Sequence, residues 1–305
     1  MKEKLYYVEE GKENNEAIIF IHSNLLSNWV WNRQKSQLKD YHCIYLDLID
    51  HGKTQVNMVF SIENCKKLIK NLIINDLKYK KVHLVGIAIG GTIILDLLYE
   101  YPNIIETAVI SGVNIKNFAD NKYNIDDIED KVNKKSVDKL KMLDEIKNID
   151  NIIINQEDKR TEELLSSVKE CKINILDKKP SNFIISGFLA EYGIGKEYFN
   201  QLKETIKIDN FIKVSEEYLK YRLPNEINNF PHLLILYGTK EYPKVVKSAE
   251  LIQNQFPKSK IFSIYRAIHL WNIINYDWFN ETIIEFIVNK NIKDKDYIKE
   301  NKDLH

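Results

Sequence analysis

Short, continuous apolar runs alternate with segments of helical periodicity through the first third of the chain. The runs are rich in isoleucine and valine, and they read AIIFIH (17–22), HCIYLDL (42–48), KVHLVG (81–86) and ETAVISG (106–112). Strands that are buried on both faces, as in a parallel sheet, have this unbroken apolar character. The alternation therefore predicts a mainly parallel central sheet with helices on both faces, joined by right-handed crossovers.

The segment between the second and third runs predicts a helix. Its apolar residues are spaced three and four apart, as on one buried helical face, and Ser61 precedes them as a candidate N-cap. These apolar residues are Ile62, Cys65, Leu68, Ile69, Leu72 and Ile73. We expect this face to pack against the sheet.

The strand pattern stops after the fourth run and returns late in the chain. There the order is strand, helix, strand and helix, in HLLILYG, KVVKSAELIQNQF, KIFSIY and YDWFNETIIEFIVNK. The intervening stretch is first polar and amphipathic and then more apolar and aromatic. We therefore predict one α/β core, residues 1–115 and 228–290, interrupted by a helical cap at 116–227. The charged segment 291–305 is predicted to be a frayed or disordered tail.

The amino-acid composition bears on which partners the protein binds and in which cellular compartment it works. Lysine plus arginine and aspartate plus glutamate both number 44, and this zero net charge argues against a nucleic-acid partner. The three cysteines lack CxxC spacing, which disfavours a disulfide framework or a zinc site. The N-terminus shows no apolar signal region, and no apolar run reaches the roughly 18–20 residues of a membrane span. We expect a cytoplasmic protein without a membrane span.

The stretch GIAIGG (86–91) joins an apolar run to a helical pattern. Gly86 and Gly90 lie two residues to either side of Ala88, and a sharp strand–turn–helix needs small neighbours at those positions. The following helix points its free N–H groups and the positive end of its dipole at the turn, which suits a developing oxyanion. The methyl group of Ala88, however, has no nucleophilic atom.

Four stretches in the expected order make the chain similar to the α/β-hydrolase superfamily, in particular to its members with a helical cap. FIHSNLLSNWVW and LDLIDHGKT resemble the loops after the family's third and fourth strands, and HLVGIAIGGT resembles the G-x-S-x-G nucleophile elbow. LLILYGTKEYP and AIHLWNI resemble the acid and histidine segments. The resemblance covers nearly the whole chain outside the cap, and it implies the α/β-hydrolase fold.

The resemblance assigns roles to five residues. It puts Ala88 at the nucleophile position, Glu241 at the acid position, where the family usually has aspartate, and His269 at the general base. It makes the backbone N–H groups of Asn24 and Ile89 the oxyanion-hole donors. No HExxH motif or clustered carboxylate–histidine set indicates a metal, and no cofactor is expected.

Three residues depart from the family pattern. Ala88 stands where serine is expected, Ser23 stands where glycine is usual after His22, and Asp50 stands where glycine is common before His51. We favour a deliberate Ser→Ala replacement as the origin of Ala88, because a naturally decayed site would often lose its histidine and acid as well. Natural loss of the nucleophile is the alternative.

Two functions follow as predictions. The first is a serine hydrolase for an ester, thioester, lactone or amide of a small, largely apolar substrate, inactive here because of Ala88. The second is a natural pseudo-hydrolase that binds a ligand. Lyases and C–C bond hydrolases that share the serine triad stay open. The apolar wall of the pocket is expected to come from aromatic cap residues, namely Phe183, Phe188, Tyr192, Tyr198, Phe199 and Phe211. Neither the exact substrate nor the oligomeric state follows from the sequence.

Overall fold

The computed structural model describes residues 3–35, 37–115, 185–186, 188–189, 192–205 and 208–301. These residues all lie in one compact unit, formed by Met1–Asn117 and Lys179–His305. Most of the predicted cap, including Phe183, lies outside the described residues. The predicted domain boundaries at 116 and 227 therefore stay predictions.

The described residues form an eight-stranded sheet in the order β1-β3-β2-β4-β5-β6-β7-β8. Strands β2 to β7 run parallel, whereas β1 and β8 pair antiparallel at the two edges. The strands are β1 (Tyr7–Glu10), β2 (Ala17–Ile21), β3 (His42–Leu46), β4 (Val82–Ile87), β5 (Ile105–Ser111), β6 (Leu233–Gly238), β7 (Lys260–Ile264) and β8 (Ile298–Glu300). The predicted mainly parallel sheet is confirmed, and the parallel strands match the apolar runs of the sequence.

The helices among the described residues connect and cover these strands. The α-helices are α1 (Ile62–Asn71), α2 (Ile89–Glu100), α3 (Phe199–Thr205), α4 (Ile208–Lys220), α5 (Pro243–Gln255), α6 (Trp271–Ile274) and α7 (Tyr276–Asn289). Helix α1 begins as predicted, because the Ser61 hydroxyl accepts a hydrogen bond of 3.0 Å from the backbone N–H of Asn64. None of the described helices combines the length and the apolar character that a membrane crossing demands.

Apolar side chains cover both faces of the sheet. In β2, Ile19 and Ile21 belong to a core with α1, α2 and α5, whereas Ile18 and Phe20 belong to a second core with α6 and α7. Successive residues of a strand point to opposite faces, so each parallel strand must be apolar throughout to fill both cores. This requirement explains the unbroken apolar runs of the sequence.

The charged segment after α7 departs from the prediction. Residues 291–301 were predicted to fray, but β8 lies within them and pairs with β7. Ile292 and Ile298 are both buried in the second core. These two apolar residues pack the segment against the core although its other residues are mostly charged. Two apolar positions are too few to form a periodic pattern, so the sequence does not predict the strand. Residues 302–305 lie outside the described residues.

Helix α4 was predicted to belong to the cap, and it contacts the core. The Glu217 carboxylate accepts a hydrogen bond of 3.1 Å from the backbone N–H of Ile62, at the N-terminus of α1. A carboxylate at that end of a helix is stabilised by the free N–H groups and the helix dipole. The hydroxyl oxygen of Tyr218 accepts a hydrogen bond of 2.7 Å from Asn114 N–H, just beyond β5.

Candidate active site

Ala88 occupies the sharp turn between β4 and α2. Its φ is 49° and its ψ is −115°, a conformation that is strained for any residue with a Cβ atom. Its N–H donates a hydrogen bond of 2.9 Å to the Ser111 carbonyl oxygen, and its carbonyl oxygen accepts one of 3.0 Å from Thr92 N–H. The turn predicted from GIAIGG is therefore present and is held by main-chain bonds on both sides.

The two flanking glycines allow the strand and the helix to approach. A Cβ atom at Gly90 would lie 2.2 Å from the carbonyl oxygen of Ile21, and one at Gly86 would lie 2.6 Å from the carbonyl carbon of Gly90. Neither distance is compatible with a side chain. The first turn of α2 thus lies directly against the end of β2, where the next loop of the site begins.

His269 and Glu241 form a hydrogen-bonded pair. Nδ1 of His269 lies 2.7 Å from Oε1 of Glu241, whose side chain is only 1% exposed. The other carboxylate oxygen accepts a hydrogen bond of 2.7 Å from the backbone N–H of Gly238. A carboxylate at Nδ1 fixes the proton on that nitrogen, so Nε2 keeps its lone pair. Nε2 has no hydrogen-bond partner among the described residues, and the His269 side chain is 21% exposed.

Gly112, at the end of β5, joins this pair to the turn. It has a φ of +63°, and a Cβ atom there would lie 2.7 Å from Oε1 of Glu241 and 2.8 Å from Nδ1 of His269. The preceding residue, Ser111, is the hydrogen-bond acceptor of Ala88. The end of β5 therefore contacts all three residues to which the resemblance assigns the triad. Gly112 was not singled out from the sequence, although a glycine at the end of a predicted strand was its signal.

Asn24 and Ile89, the predicted oxyanion donors, lie on the two segments that meet at Gly90. The Asn24 side-chain oxygen accepts a hydrogen bond of 2.8 Å from Leu25 N–H, and this local bond shapes the loop. The backbone N–H groups of Asn24 and Ile89 are not donated to any acceptor among the described residues. Both groups are thus available to a ligand. The N–H group of Ile89 lies in the first turn of α2, at the positive end of the helix dipole.

Two buried histidines hold the loops around the site. Burial lowers the pKa of His22 to about 4 and the pKa of His51 to about 3, so both rings are neutral at pH 7. Nε2 of His22 accepts a hydrogen bond of 3.0 Å from Leu48 N–H. Nδ1 of His51 lies 2.8 Å from the Ile49 carbonyl oxygen, and its Nε2 lies 3.2 Å from Oδ1 of Asn24. A neutral imidazole carries one N–H, so His51 donates to one of these oxygens at a time.

The two other departures from the family pattern differ in what the structure explains. Asp50 has a φ of 63°, the left-handed region that glycine adopts readily, and this accounts for the usual glycine there. Its carboxylate accepts a hydrogen bond of 3.0 Å from Phe60 N–H, which offers a reason for aspartate. Nothing in the structure explains the serine at Ser23.

Aromatic side chains lie next to His269. The ring centroids of Tyr192 and His269 are 5.6 Å apart, and those of Phe188 and Tyr192 are 4.4 Å apart. Phe188, Tyr192, Phe199 and Ala88 all pack against the second core. Tyr198 instead stacks on Trp29, with 5.4 Å between ring centroids. Among the predicted pocket aromatics whose side chains are described, Tyr192 contacts His269, and Phe188 contacts Tyr192. The side chains of Phe183 and Phe211 lie outside the described residues.

Within the part of the chain that the structure describes, one group of carboxylates is close enough together to hold a metal ion, but it surrounds a lysine. Glu63, Asp96 and Glu100 all form ion pairs with the buried ammonium group of Lys66, at 2.8 Å for Asp96. Although burial opposes it, hydrogen bonds to Asp96, Glu100 and Glu63 raise the pKa of Lys66 above its usual range. The ammonium group neutralises this cluster, which links α1 to α2.

Comparisons with known proteins agree with this architecture. A family model described as "alpha/beta hydrolase fold" matches residues 16–137. An AB hydrolase superfamily protein of Gibberella zeae is 26% identical over 117 residues, which are 38% of this chain and 42% of that protein. The chain thus aligns with about two fifths of the length of this relative.

Solved structures match over more of the chain. An esterase from Exiguobacterium antarcticum aligns with a TM-score of 0.68 and 16% identity over 93% of this chain and 96% of that one. A bromoperoxidase from Bacillus anthracis aligns with a TM-score of 0.66 and 18% identity over 93% and 95%. The sheet order, the elbow and these matches show that the chain has the α/β-hydrolase fold.

Proposed function

We propose that this is a serine-hydrolase site in which alanine occupies the nucleophile position, so that the chain as written binds an acyl substrate without cleaving it. The observation that carries the proposal is the Glu241–His269 hydrogen bond of 2.7 Å beside a strained turn at Ala88. A structural ion pair has no need of a neighbouring strained turn, whereas a nucleophile elbow with its base and acid contains both.

The proposed chemistry follows from the roles of these groups with serine at position 88. The serine hydroxyl attacks the carbonyl carbon, and its proton passes to Nε2 of His269. Glu241 stabilises the imidazolium that forms, and the N–H groups of Ile89 and Asn24 bind the oxyanion. His269 then donates the proton to the leaving alcohol, thiol or amine. A water molecule, deprotonated by His269, hydrolyses the acyl-serine.

With Ala88, attack is lost but recognition remains. The oxyanion donors belong to the main chain and do not depend on a hydroxyl at position 88. The apolar surface of Phe188 and Tyr192 is likewise unchanged, and it suits the largely apolar part of an ester, thioester, lactone or amide. We therefore expect an intact substrate to bind and to stay uncleaved.

A natural pseudo-hydrolase that binds a ligand is the second candidate. Ala88 itself favours it, because a site that only binds has no need of a nucleophile. The similar structures include both an esterase and a bromoperoxidase, so the fold leaves the chemistry open. The two candidates differ in what serine at position 88 should do.

The test is therefore Ala88→Ser. We expect the variant to react with a serine-directed fluorophosphonate and to hydrolyse a panel of p-nitrophenyl esters, thioesters and lactones with burst kinetics. Loss of a triad serine costs on the order of 10⁶ in turnover, so the gain should be about that large. Ala88→Ser/His269→Ala is the matched control and should lose both activities. A folded Ala88→Ser protein that is neither labelled nor active, while its parent binds an acyl ligand tightly, would favour the pseudo-hydrolase.

A further inference from the structure

Ser111, the last residue of β5, contacts both halves of the candidate site through different atoms. We propose that Ser111 is a positioning residue that couples the turn at Ala88 to the loop of His269, an inference that rests on the proposed function. Ser111 has no part in the family resemblance, and no role for it was predicted from the sequence.

The first contact uses the main chain of Ser111. Ile87 pairs with Ser111 in the register of β4 and β5, and the Ser111 carbonyl oxygen accepts the Ala88 N–H at 2.9 Å. This bond extends the ladder of the two strands by one residue, into the strained turn. The position of residue 88 thus depends on where β5 ends.

The second contact uses the side chain of Ser111. Its hydroxyl oxygen accepts a hydrogen bond of 2.9 Å from the indole N–H of Trp271, two residues after His269. Trp271 is fully buried, and its ring packs edge-on against Phe279 with 4.7 Å between centroids. The segment that carries His269 is therefore bound to the end of β5 by a hydrogen bond between two buried residues.

Other buried indoles show that this bond is a specific feature. Trp29 and Trp31 are also buried, and their indole N–H groups have no hydrogen-bond partner among the described residues. The fold therefore tolerates an unpaired indole elsewhere. The indole N–H next to the histidine loop, in contrast, has a well-placed acceptor.

The residue after Ser111 completes the link. The Cα atom of Gly112 faces the Glu241–His269 hydrogen bond closely enough that a Cβ atom would collide with both side chains. A shift of the Ser111 main chain would therefore move the surface on which the pair rests. One dipeptide at the end of β5 thus contacts the nucleophile position, the base and the acid.

The test uses Ser111→Ala and first measures the chain as it exists, by proton NMR. We expect the Trp271 indole N–H resonance to shift and the downfield Nδ1–H resonance of His269 to move or broaden. Ser259→Ala is the matched control, because Ser259 is a buried serine without a hydrogen-bond partner for its hydroxyl among the described residues. It should leave both resonances in place. This readout needs no activity, so it stands even if Ala88→Ser is inactive.

The kinetic test adds the same changes to Ala88→Ser. Ser111→Ala should lower kcat by about 10- to 100-fold with little change in KM, since small misplacements of reacting groups cost that much. Trp271→Phe, which keeps the ring and removes the N–H, should have a similar effect, and the double variant should be no worse than either single one. Ser111→Thr, which restores an acceptor, should recover most of the loss.

Two results would overturn the proposal. One is a folded Ser111→Ala protein whose His269 N–H resonance matches that of the parent. The other is additive losses for Ser111→Ala and Trp271→Phe, which would mean that the two residues act separately. If Ser111→Ala fails to fold by circular dichroism, Trp271→Phe decides by the same resonance.

Discussion

The two halves of the candidate site are held in place by different means. The turn at Ala88 is fixed by main-chain contacts, since Gly86 and Gly90 let the backbones touch and Ser111 accepts its N–H. The Glu241–His269 pair is fixed by hydrogen bonds of its side chains. The hydrogen bonds that hold the turn come from the main chain, so they do not depend on which side chain residue 88 carries. The Glu241–His269 pair does not tolerate such a substitution, because the hydrogen bonds that hold it are made by the two side chains themselves.

The largest effect should come from removing the base once a nucleophile is present. In an Ala88→Ser background, His269→Ala should lower kcat by about 10⁶-fold, as loss of the base does in a serine triad. Single-turnover hydrolysis of an activated ester measures it. The same substitution in the Ala88 parent should leave ligand affinity nearly unchanged. A loss below about tenfold in the serine background would show that another group takes the proton.

The acid should matter less than the base. Glu241→Gln in the Ala88→Ser background should lower kcat by about 10⁴-fold, because an amide supports the wrong tautomer of His269 and cannot stabilise its cation. The pH–rate profile of the variant checks the cause as well as the size. Glu281→Gln, which removes an exposed carboxylate far along the chain in α7, should leave kcat unchanged. Equal rates for Glu241→Gln and its background would remove Glu241 from the triad.

Substitution of the glycines beside the turn should destabilise the fold. Gly90→Ala should lower the free energy of unfolding by roughly 3 to 5 kcal/mol, because its Cβ atom would press on the rigid Ile21 carbonyl. Gly91→Ala is the comparison, since its Cβ atom would meet a methyl group of Val113, which has more freedom to move. It should cost less. Urea unfolding followed by circular dichroism measures both, and an equal cost would mean that the β2–α2 contact is not the critical one.

Acid should destabilise the loops around the site through two histidines. The folded-state pKa of His22 is about 4 and that of His51 is about 3, both below the ordinary 6.5, so between these values the unfolded chain binds more protons. Stability is therefore full above pH 6.5 and falls as the pH drops. At pH 5 the loss should be about 2 kcal/mol for each histidine. Urea unfolding at pH 8 and pH 5 checks this, and His51→Gln should reduce the difference.

The smallest effect should come from relieving the strain at residue 88. Ala88→Gly removes the Cβ atom of a residue whose φ is 49°, and this relief of strain stabilises the folded state. Glycine also raises the conformational entropy of the unfolded chain, which opposes that gain. The net change should be a stabilisation of about 1 kcal/mol or less. Thermal unfolding of the two proteins measures it. A clear destabilisation would show that the methyl group of Ala88 contributes packing that outweighs the strain.

The sequence predicted the parallel strands, the elbow and the Glu241–His269 pair more fully than it predicted the edges. Parallel strands are apolar on both faces, and that pattern is visible without a fold. Strand β1 reads YVEE and is half-buried throughout, and β8 has three residues, so neither carries a periodic signal. Their pairing depends on neighbours that the local sequence does not contain.

The connections within the site were harder to predict than its members. The contact between Glu241 and His269 was predicted from motifs, whereas the contacts of Ser111 and Gly112 join elements that are far apart in the chain. Their local sequence, the end of ETAVISG, is ordinary for a strand that ends in a turn. The aromatic residues show the same limit, because Tyr192 and Tyr198 look alike in the sequence and only Tyr192 lies against His269.

The strain at Ala88 has a consequence for the gene. The turn holds alanine in a strained conformation through main-chain hydrogen bonds, so its backbone cost does not depend on a polar side chain at position 88. Alanine and serine codons can differ in their first base alone. Under the proposed function, a single nucleotide therefore separates the binding form of this chain from a catalytic one.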